Sequence, residues 1–290
     1  MPLLLLVCLW STGADGTSVP INVDLQGLLH STLHGSGGVG VVLDAKSGAL
    51  LAAERPEAAA QLVSAPGSTL KPFFLASALS QGRINAQSTV VCRRSLRVAN
   101  RDLACTHPKE INVFNAEQAL AYSCNTYFAA LATLWTPKEA TGLLRSYGFS
   151  ERPHLFAEES LGTLREPPDR GQEQLLILGL GDVTASPAQL ALAYLRLGRK
   201  LERLPPVRLG LEGSVAYGMA HNAATPGFII AGKTGTASDS GQAWTHGWFA
   251  GIASRRASKI VIVVYLPVGN GADAASLVQR FFREWSGQTP

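Results

Sequence analysis

The sequence predicts a mixed α/β (α+β) fold: a five-stranded antiparallel sheet flanked by helices and interrupted by a long all-helical insertion. Three observations predict it. Two short apolar runs joined by a polar turn lie between Gly37 and Ala53, a strand hairpin by pattern. From Ser68 to Leu197 the apolar residues recur mostly at helical spacing. Three runs rich in β-branched and small residues then return, followed by one more helix. With all five strands in one sheet, residues from about 64 to 225 hang off it as a helical subdomain, and a cleft lies between the two.

Composition narrows the class. A chain of 290 residues that is 46% apolar can bury a substantial core and is not disordered. Its net charge is +4, yet only 16% of residues are charged. No basic run exceeds pairs such as Arg93-Arg94 and Arg255-Arg256, so no nucleic-acid partner is expected. Residues 1–16 carry an apolar block from Leu3 to Trp10, with Ala14 and Gly16 placed for signal peptidase. They read as an export signal ahead of a domain at 17–290, although no basic residue precedes the block. The block is too short to cross a bilayer; a buried N-terminal strand is the other reading.

Taken in order, Gly37–Leu43 and Ala49–Ala53 form the hairpin across Asp44-Ala45-Lys46-Ser47-Gly48. The nearby glycines precede the first strand and so do not form a phosphate cradle. In Pro66-Gly67-Ser68-Thr69-Leu70-Lys71-Pro72 a helix is expected to start no earlier than about Thr69, because proline is tolerated only in the first turn. Ser68 then caps it, and Gly82 ends it. After a polar loop, one helix is expected from an Asn115 cap to Leu134, with Ser123-Cys124-Asn125 inside it. Further helices are expected over Thr136–Tyr147 and Pro187–Leu197, separated by a proline-rich loop at Leu161–Asp169. Strands follow at Gly227–Gly232, Gly247–Ile252 and Lys259–Leu266, and a helix at Ala272–Trp285.

Three short motifs stand out: Ser68-x-x-Lys71 at a helix start, Ser123-x-Asn125 in the insertion, and Lys233-Thr234-Gly235 leaving a strand. The first alone arises by chance in roughly every second chain of this length, the last in only about a few per cent, so their joint appearance carries the weight. The first pair has a chemical rationale. A hydroxyl and an amine three residues apart share a helix face, so the amine can take the hydroxyl proton. Lys71 does this only when neutral, which burial and a second ammonium, that of Lys233, would promote. His246, beside Trp244 and Trp248, is a second base by type. It is expected to pack or bind at the cleft rim, since the lysine already supplies one.

The motifs and their flanks resemble the transpeptidase domain of class B, monofunctional penicillin-binding proteins, within the serine β-lactamase and penicillin-binding-protein superfamily. The resemblance rests on Pro66 to Pro72, Ser123-Cys124-Asn125-Thr126-Tyr127-Phe128, Gly179 to Pro187, Ala231 to Ala237 and Gly247-Trp248-Phe249-Ala250-Gly251. It runs from about Val39 to Phe282. It implies a β-lactamase/transpeptidase-like fold. It also implies a serine D,D-transpeptidase or D,D-carboxypeptidase acting on D-alanyl-D-alanine stem peptides of peptidoglycan. By the same resemblance Ser68, Lys71, Ser123 and Lys233 are catalytic, Ser123 relaying a proton to the departing amine. Asn125 holds the substrate backbone, and Lys233, Thr234 and Thr236 bind its carboxylate. The strand through Gly235 aligns the peptide, and the backbone N–H groups of Ser68 and Thr236 form the oxyanion hole. No metal or organic cofactor is required for this chemistry. The implied partners are stem peptides, β-lactam antibiotics and cell-wall synthesis proteins at the membrane surface. The implied location is the periplasm or the outer face of the cytoplasmic membrane.

Three alternatives remain open at this point. A serine β-lactamase would need a water activator, and Glu158-Glu159-Ser160-Leu161-Gly162 partly imitates an E-x-x-L-N loop but has Gly162 where Asn is wanted. A non-catalytic β-lactam sensor or cell-wall binding module would use the same pocket without turnover. Finally, export permits a Cys92–Cys105 disulfide, while Cys92, Cys105, His107 and Cys124 are also four soft ligands for a structural zinc; three unlinked thiols are the third reading.

Overall fold

A computed structural model describes residues 10–12, 18–20, 22–239 and 241–287. Helix α1 (Val23–Leu33) is capped by the Asn22 side chain and leads into strands β1 (Val39–Asp44) and β2 (Leu50–Glu54). The insertion carries α2 (Pro56–Gln61), α3 (Lys71–Ser80), α4 (Ala116–Ala121), α5 (Asn125–Leu131), α6 (Pro137–Ser146), α7 (Arg170–Ile177), α8 (Pro187–Gly198) and α9 (Pro205–Ala216). Strands β3 (Ile229–Ala237), β4 (His246–Arg255) and β5 (Ser258–Leu266) and helix α10 (Gly271–Gly287) complete the chain. The expected single sheet is present, with strand order β2-β1-β5-β4-β3 and every neighbour antiparallel. β3 is therefore an edge strand. The export signal expected over 1–16 lies outside the described residues except for Trp10–Thr12, which pairs with Ser18–Pro20.

Alternation along each strand divides the interior into two cores. Val41, Val263, Ala250 and Ala231 face the inserted helices, whereas Val42, Ile262, Phe249 and Ile230 face α1 and α10. Helix α3 lies in the middle of the first core and buries every residue from Lys71 to Ala78. Its Phe73 ring meets Tyr147, Phe149 and Tyr194 at centroid distances of 4.8, 5.4 and 5.4 Å. Burying such a ring stabilises by roughly 1.5–3 kcal/mol, so α3 is held by packing on all sides.

Four expectations are corrected. Ser68 is not the cap of an α-helix: it sits in a 3-10 turn, Gly67–Leu70, and the α-helix starts at Lys71. The cause is Pro72, which has no N–H to offer the Ser68 carbonyl; that carbonyl accepts from Lys71 N instead. The expected helix Asn115–Leu134 breaks between α4 and α5, because Ser123 adopts a left-handed φ of 55° and its carbonyl leaves the ladder. Its cap at Asn115 does form, as a full capping box. The strand expected to end at Gly232 runs on to Ala237, paired with β4 as far as His246, so Lys233-Thr234-Gly235 lies within it. The polar loop between Gly82 and Asn115 holds two short ladders, Val90–Val91 with Val113–Phe114 and Ser95–Val98 with Arg101–Ala104.

Candidate active site

The 3-10 turn bearing Ser68 is pressed between two backbones. Gly67 donates its N–H to Gly179 O at 3.0 Å, and a side-chain carbon on Gly179 would fall 1.9 Å from Gly67 O. On the other side a carbon on Gly67 would stand 3.1 Å from Thr236 N, and one on Gly235 only 2.5 Å from Pro66 O. Gly67 and Gly179 also have φ of 57° and 73°, which side chains resist. The close approach sets the Thr236 backbone against Gly67, the residue before Ser68. Ser68 Oγ itself has no hydrogen-bond partner among the described residues, and it is half-buried.

Lys71 and Lys233 are both fully buried. Lys71 Nζ donates to Ser123 O at 2.8 Å, Ser123 Oγ at 3.0 Å and Asn125 Oδ1 at 2.7 Å, and stands 5.3 Å from the Phe128 ring. The left-handed turn at Ser123 is what offers its carbonyl and hydroxyl to the same ammonium. Asn125 is oriented from behind by Nδ2 donating to Ala104 O at 3.0 Å. Burial takes the Lys71 ammonium out of water and lowers its pKa to about 8, against an upward pull from the sulfurs of Cys105 and Cys124. Lys233 donates to Thr234 O at 3.0 Å and is held well below the usual lysine range, first by burial and then by the charge of Lys71. No carboxylate pairs with either lysine among the described residues.

The structure thus brings Ser123, Asn125 and Lys71 into direct contact, and Gly235 against the Ser68 turn. Thr234 and Thr236 lie on the opposite face of β3 from Lys233 and Gly235. Thr236 is exposed and its hydroxyl accepts from Gly271 N at 2.9 Å, while Thr234 is buried with its hydroxyl 3.4 Å from Met219 O. His246 is buried beneath the site: its Nε2 is 2.8 Å from Ala65 O, which also accepts from Trp248 Nε1 at 2.9 Å.

Two residues escaped sequence reasoning. Asp239 accepts from Ala65 N at 2.9 Å and from Ser64 Oγ at 2.5 Å, clamping the residues that lead into the Ser68 turn. No motif contains Ser64 or Asp239; the only signal was that both flank motif residues. The loop that imitates a β-lactamase pattern is also resolved. Glu158, which stands where that pattern has its glutamate, is exposed and accepts from Gln61 Nε2 at 3.4 Å, while its neighbour Glu159 is buried and accepts from the backbone N–H groups of His154, Leu155 and Phe156 at 2.8, 2.8 and 3.1 Å. At Gly162 any side-chain carbon would lie 1.9 Å from Thr184 O, which leaves no room for an Asn.

Residues 38–286 match the family model described as the penicillin binding protein transpeptidase domain. Peptidoglycan D,D-transpeptidase MrdA of Acinetobacter baumannii is 24% identical over 288 residues, covering 78% of this chain and 43% of that protein. Penicillin-binding protein 1A of Neisseria gonorrhoeae is 28% identical over 244 residues, covering 72% of this chain and 30% of that protein. The chain therefore spans less than half the length of these relatives. Among solved structures, the transpeptidase domain of Burkholderia pseudomallei penicillin-binding protein 3 superposes with a TM-score of 0.81 at 21% identity, covering 91% of this chain and 94% of that one. The D,D-transpeptidase domain of a peptidoglycan glycosyltransferase from Eggerthella lenta gives 0.78 at 21%, covering 92% and 82%. At that identity the likeness is one of fold.

Proposed function

The chain belongs to the penicillin binding protein transpeptidase domain family, and from that premise we propose that it is a serine acyl-transferase acting on D-alanyl-D-alanine ends of peptidoglycan stem peptides. The observation that carries the reading is the unpaired, fully buried Lys71, lowered to about 8 and in contact with Ser123 and Asn125. Such an amine is neutral in a useful fraction of molecules near neutral pH and can serve as a base.

In this reading Ser68 Oγ attacks the carbonyl of the penultimate D-alanine and gives its proton to Lys71. The negative charge that develops on the carbonyl oxygen is met by the N–H groups of Ser68 and Thr236. Ser123, bonded to Lys71, passes the proton to the departing D-alanine amine. An amine or a water then attacks the acyl-serine, giving transpeptidation or carboxypeptidation. The free edge of β3 pairs with the peptide backbone, and Asn125 holds it from the other side. A substrate carboxylate reaching Lys233 supplies the counter-charge that burial denies the lysine, so binding favours its protonated form; the Thr234 and Thr236 side chains, expected to share that carboxylate, point to the other face of β3. Penicillins acylate the same serine. The enzyme works outside the cytoplasmic membrane, on stem peptides and beside other cell-wall synthesis proteins; among the described residues no helix is long and apolar enough to cross a membrane.

The crowding at Gly162, which leaves no room for the Asn of the E-x-x-L-N pattern, argues against efficient hydrolysis of the acyl-enzyme by the β-lactamase route. Intact-mass measurement over time after penicillin addition tests the assignment. One long-lived adduct per wild-type chain is expected, absent in Ser68→Ala, together with D-alanine release from a pentapeptide. An adduct that survives in the variant, or rapid multiple turnover of penicillin, would sink it; adduct without D-alanine release would leave a sensor.

A further inference from the structure

The segment between α3 and α4 has little regular structure to hold it. Its two ladders are each two-stranded, two and four residues long, and such pieces are marginal on their own. Yet this segment backs the Lys71 contacts, since Ala104 O orients Asn125. At its centre four soft ligands converge. Cys92 follows strand Val90–Val91, Cys105 follows strand Arg101–Ala104, His107 comes two residues later, and Cys124 caps α5. All four are buried, the three cysteines are free thiols, and the four ligand atoms lie within 4.8 Å of one another. A tetrahedral zinc with Zn–S bonds of about 2.3 Å sets its sulfurs about 3.8 Å apart, so adjustments of about 1 Å complete the cage.

The surroundings are those of a metal cage. His107 Nε2 is 3.2 Å from Cys92 Sγ, which turns that nitrogen inward. Its Nδ1 lies 3.1 Å from Pro108 O and 3.1 Å from Arg94 Nη1. With the proton on Nδ1 it donates to the Pro108 carbonyl, leaving the Nε2 lone pair for a metal, the usual arrangement behind a ligating histidine. Arg94 then donates to Pro108 O and His107 O, each at 2.9 Å. Backbone N–H groups point at the sulfurs, Arg94 N at Cys92 Sγ (3.3 Å) and Asn125 N at Cys105 Sγ (3.2 Å), as suits thiolates. A disulfide would use two of these sulfurs and give the third and the imidazole no role.

We propose that Cys92, Cys105, His107 and Cys124 form a structural site for one tetrahedral zinc ion that pins the Ser123–Asn125 turn to the hairpin beneath it. Cys124 is the residue between Ser123 and Asn125, and Cys105 accepts from Asn125 N, so the ion holds both partners of Lys71 from behind. Four protein ligands leave no open position, which makes the role structural. On binding, three thiol protons pass to solvent, His107 keeps its Nδ1 proton, and nothing is oxidised or reduced.

The metal half of the proposal does not rest on the proposed activity, because cobalt(II) reports the site spectroscopically. The full chain, reduced and stripped with a chelator, is titrated with cobalt(II). Expected are the visible bands of a tetrahedral ion and a near-ultraviolet thiolate charge-transfer band, saturating at one ion per chain and abolished by zinc(II). Cys92→Ser and His107→Gln each weaken uptake at least about tenfold. Penicillin acylation slows at least about tenfold on stripping and recovers with zinc. Failure of the wild-type chain to take up cobalt, or unchanged uptake in both variants, overturns the site; equal acylation with and without zinc overturns the pinning role.

Discussion

The proposed chemistry turns on the charge state of one amine. Lys71 is fully buried and no carboxylate pairs with it among the described residues, so its ammonium form is the one that burial penalises. The groups that face it are Lys233 and the sulfurs of Cys105 and Cys124. The base must be neutral, so the second-order rate of penicillin acylation should rise as pH passes about 8 and level off above it. Lys71→Arg, which cannot lose its proton, should cost on the order of 10²–10⁴ in that rate; stopped-flow acylation across a pH series reads both effects. The sign for stability follows from the same shift. The unfolded chain binds the proton up to the ordinary lysine value of 10.5, the folded one only to about 8, so Lys71's contribution to stability grows as pH rises between them. The motif was legible because Ser68 and Lys71, the proposed nucleophile and base, sit three positions apart in sequence. Ser64 and Asp239 were not. Their hydrogen bond joins residues 175 apart, and neither spacing nor pattern marks such a partner.

At the level of elements, the site depends on how closely three backbones approach. The loop carrying Gly179 and the strand carrying Gly235 close on the 3-10 turn from either side. Gly179→Ala places a carbon 1.9 Å from Gly67 O at a left-handed φ, and should lower the unfolding free energy by roughly 1–3 kcal/mol. Urea denaturation measures that loss, and labelling of the protein that remains folded should also be slower because the turn is displaced. The chain announced these elements unevenly. Pro72 placed the start of α3 to within two residues and Asn115 marked a true cap, because both act through local geometry. The break at Ser123 left no such trace: its carbonyl is drawn off by a lysine 52 positions away, and helical periodicity simply continues across it. β3 was read five residues short because Lys233-Thr234-Gly235-Thr236 lacks the apolar alternation of a strand, although its backbone pairs with β4 throughout.

For the molecule as a whole, the sheet separates the reacting side from a second core. Phe281 lies in that second core with Phe249, Ile262 and Leu29, on the face of the sheet away from Lys233. Phe281→Ala should therefore cost about 3–5 kcal/mol in urea denaturation while the folded fraction reacts with penicillin at the wild-type rate. A matching loss of intrinsic rate would mean that the two cores are coupled. The five strands were readable from pattern changes alone. Helices α1, α2, α7 and α9 were not, since α2 and α7 are short and α1 and α9 have only modestly one-sided faces against the core. One feature then takes on another aspect. Strand β3 is an edge of the sheet and begins with an exposed Ile229, and an open strand edge can take up a second copy of the chain as well as a peptide. On the proposed reading the same edge must recruit a peptide strand while refusing a second copy of the chain, which ties solubility to substrate binding.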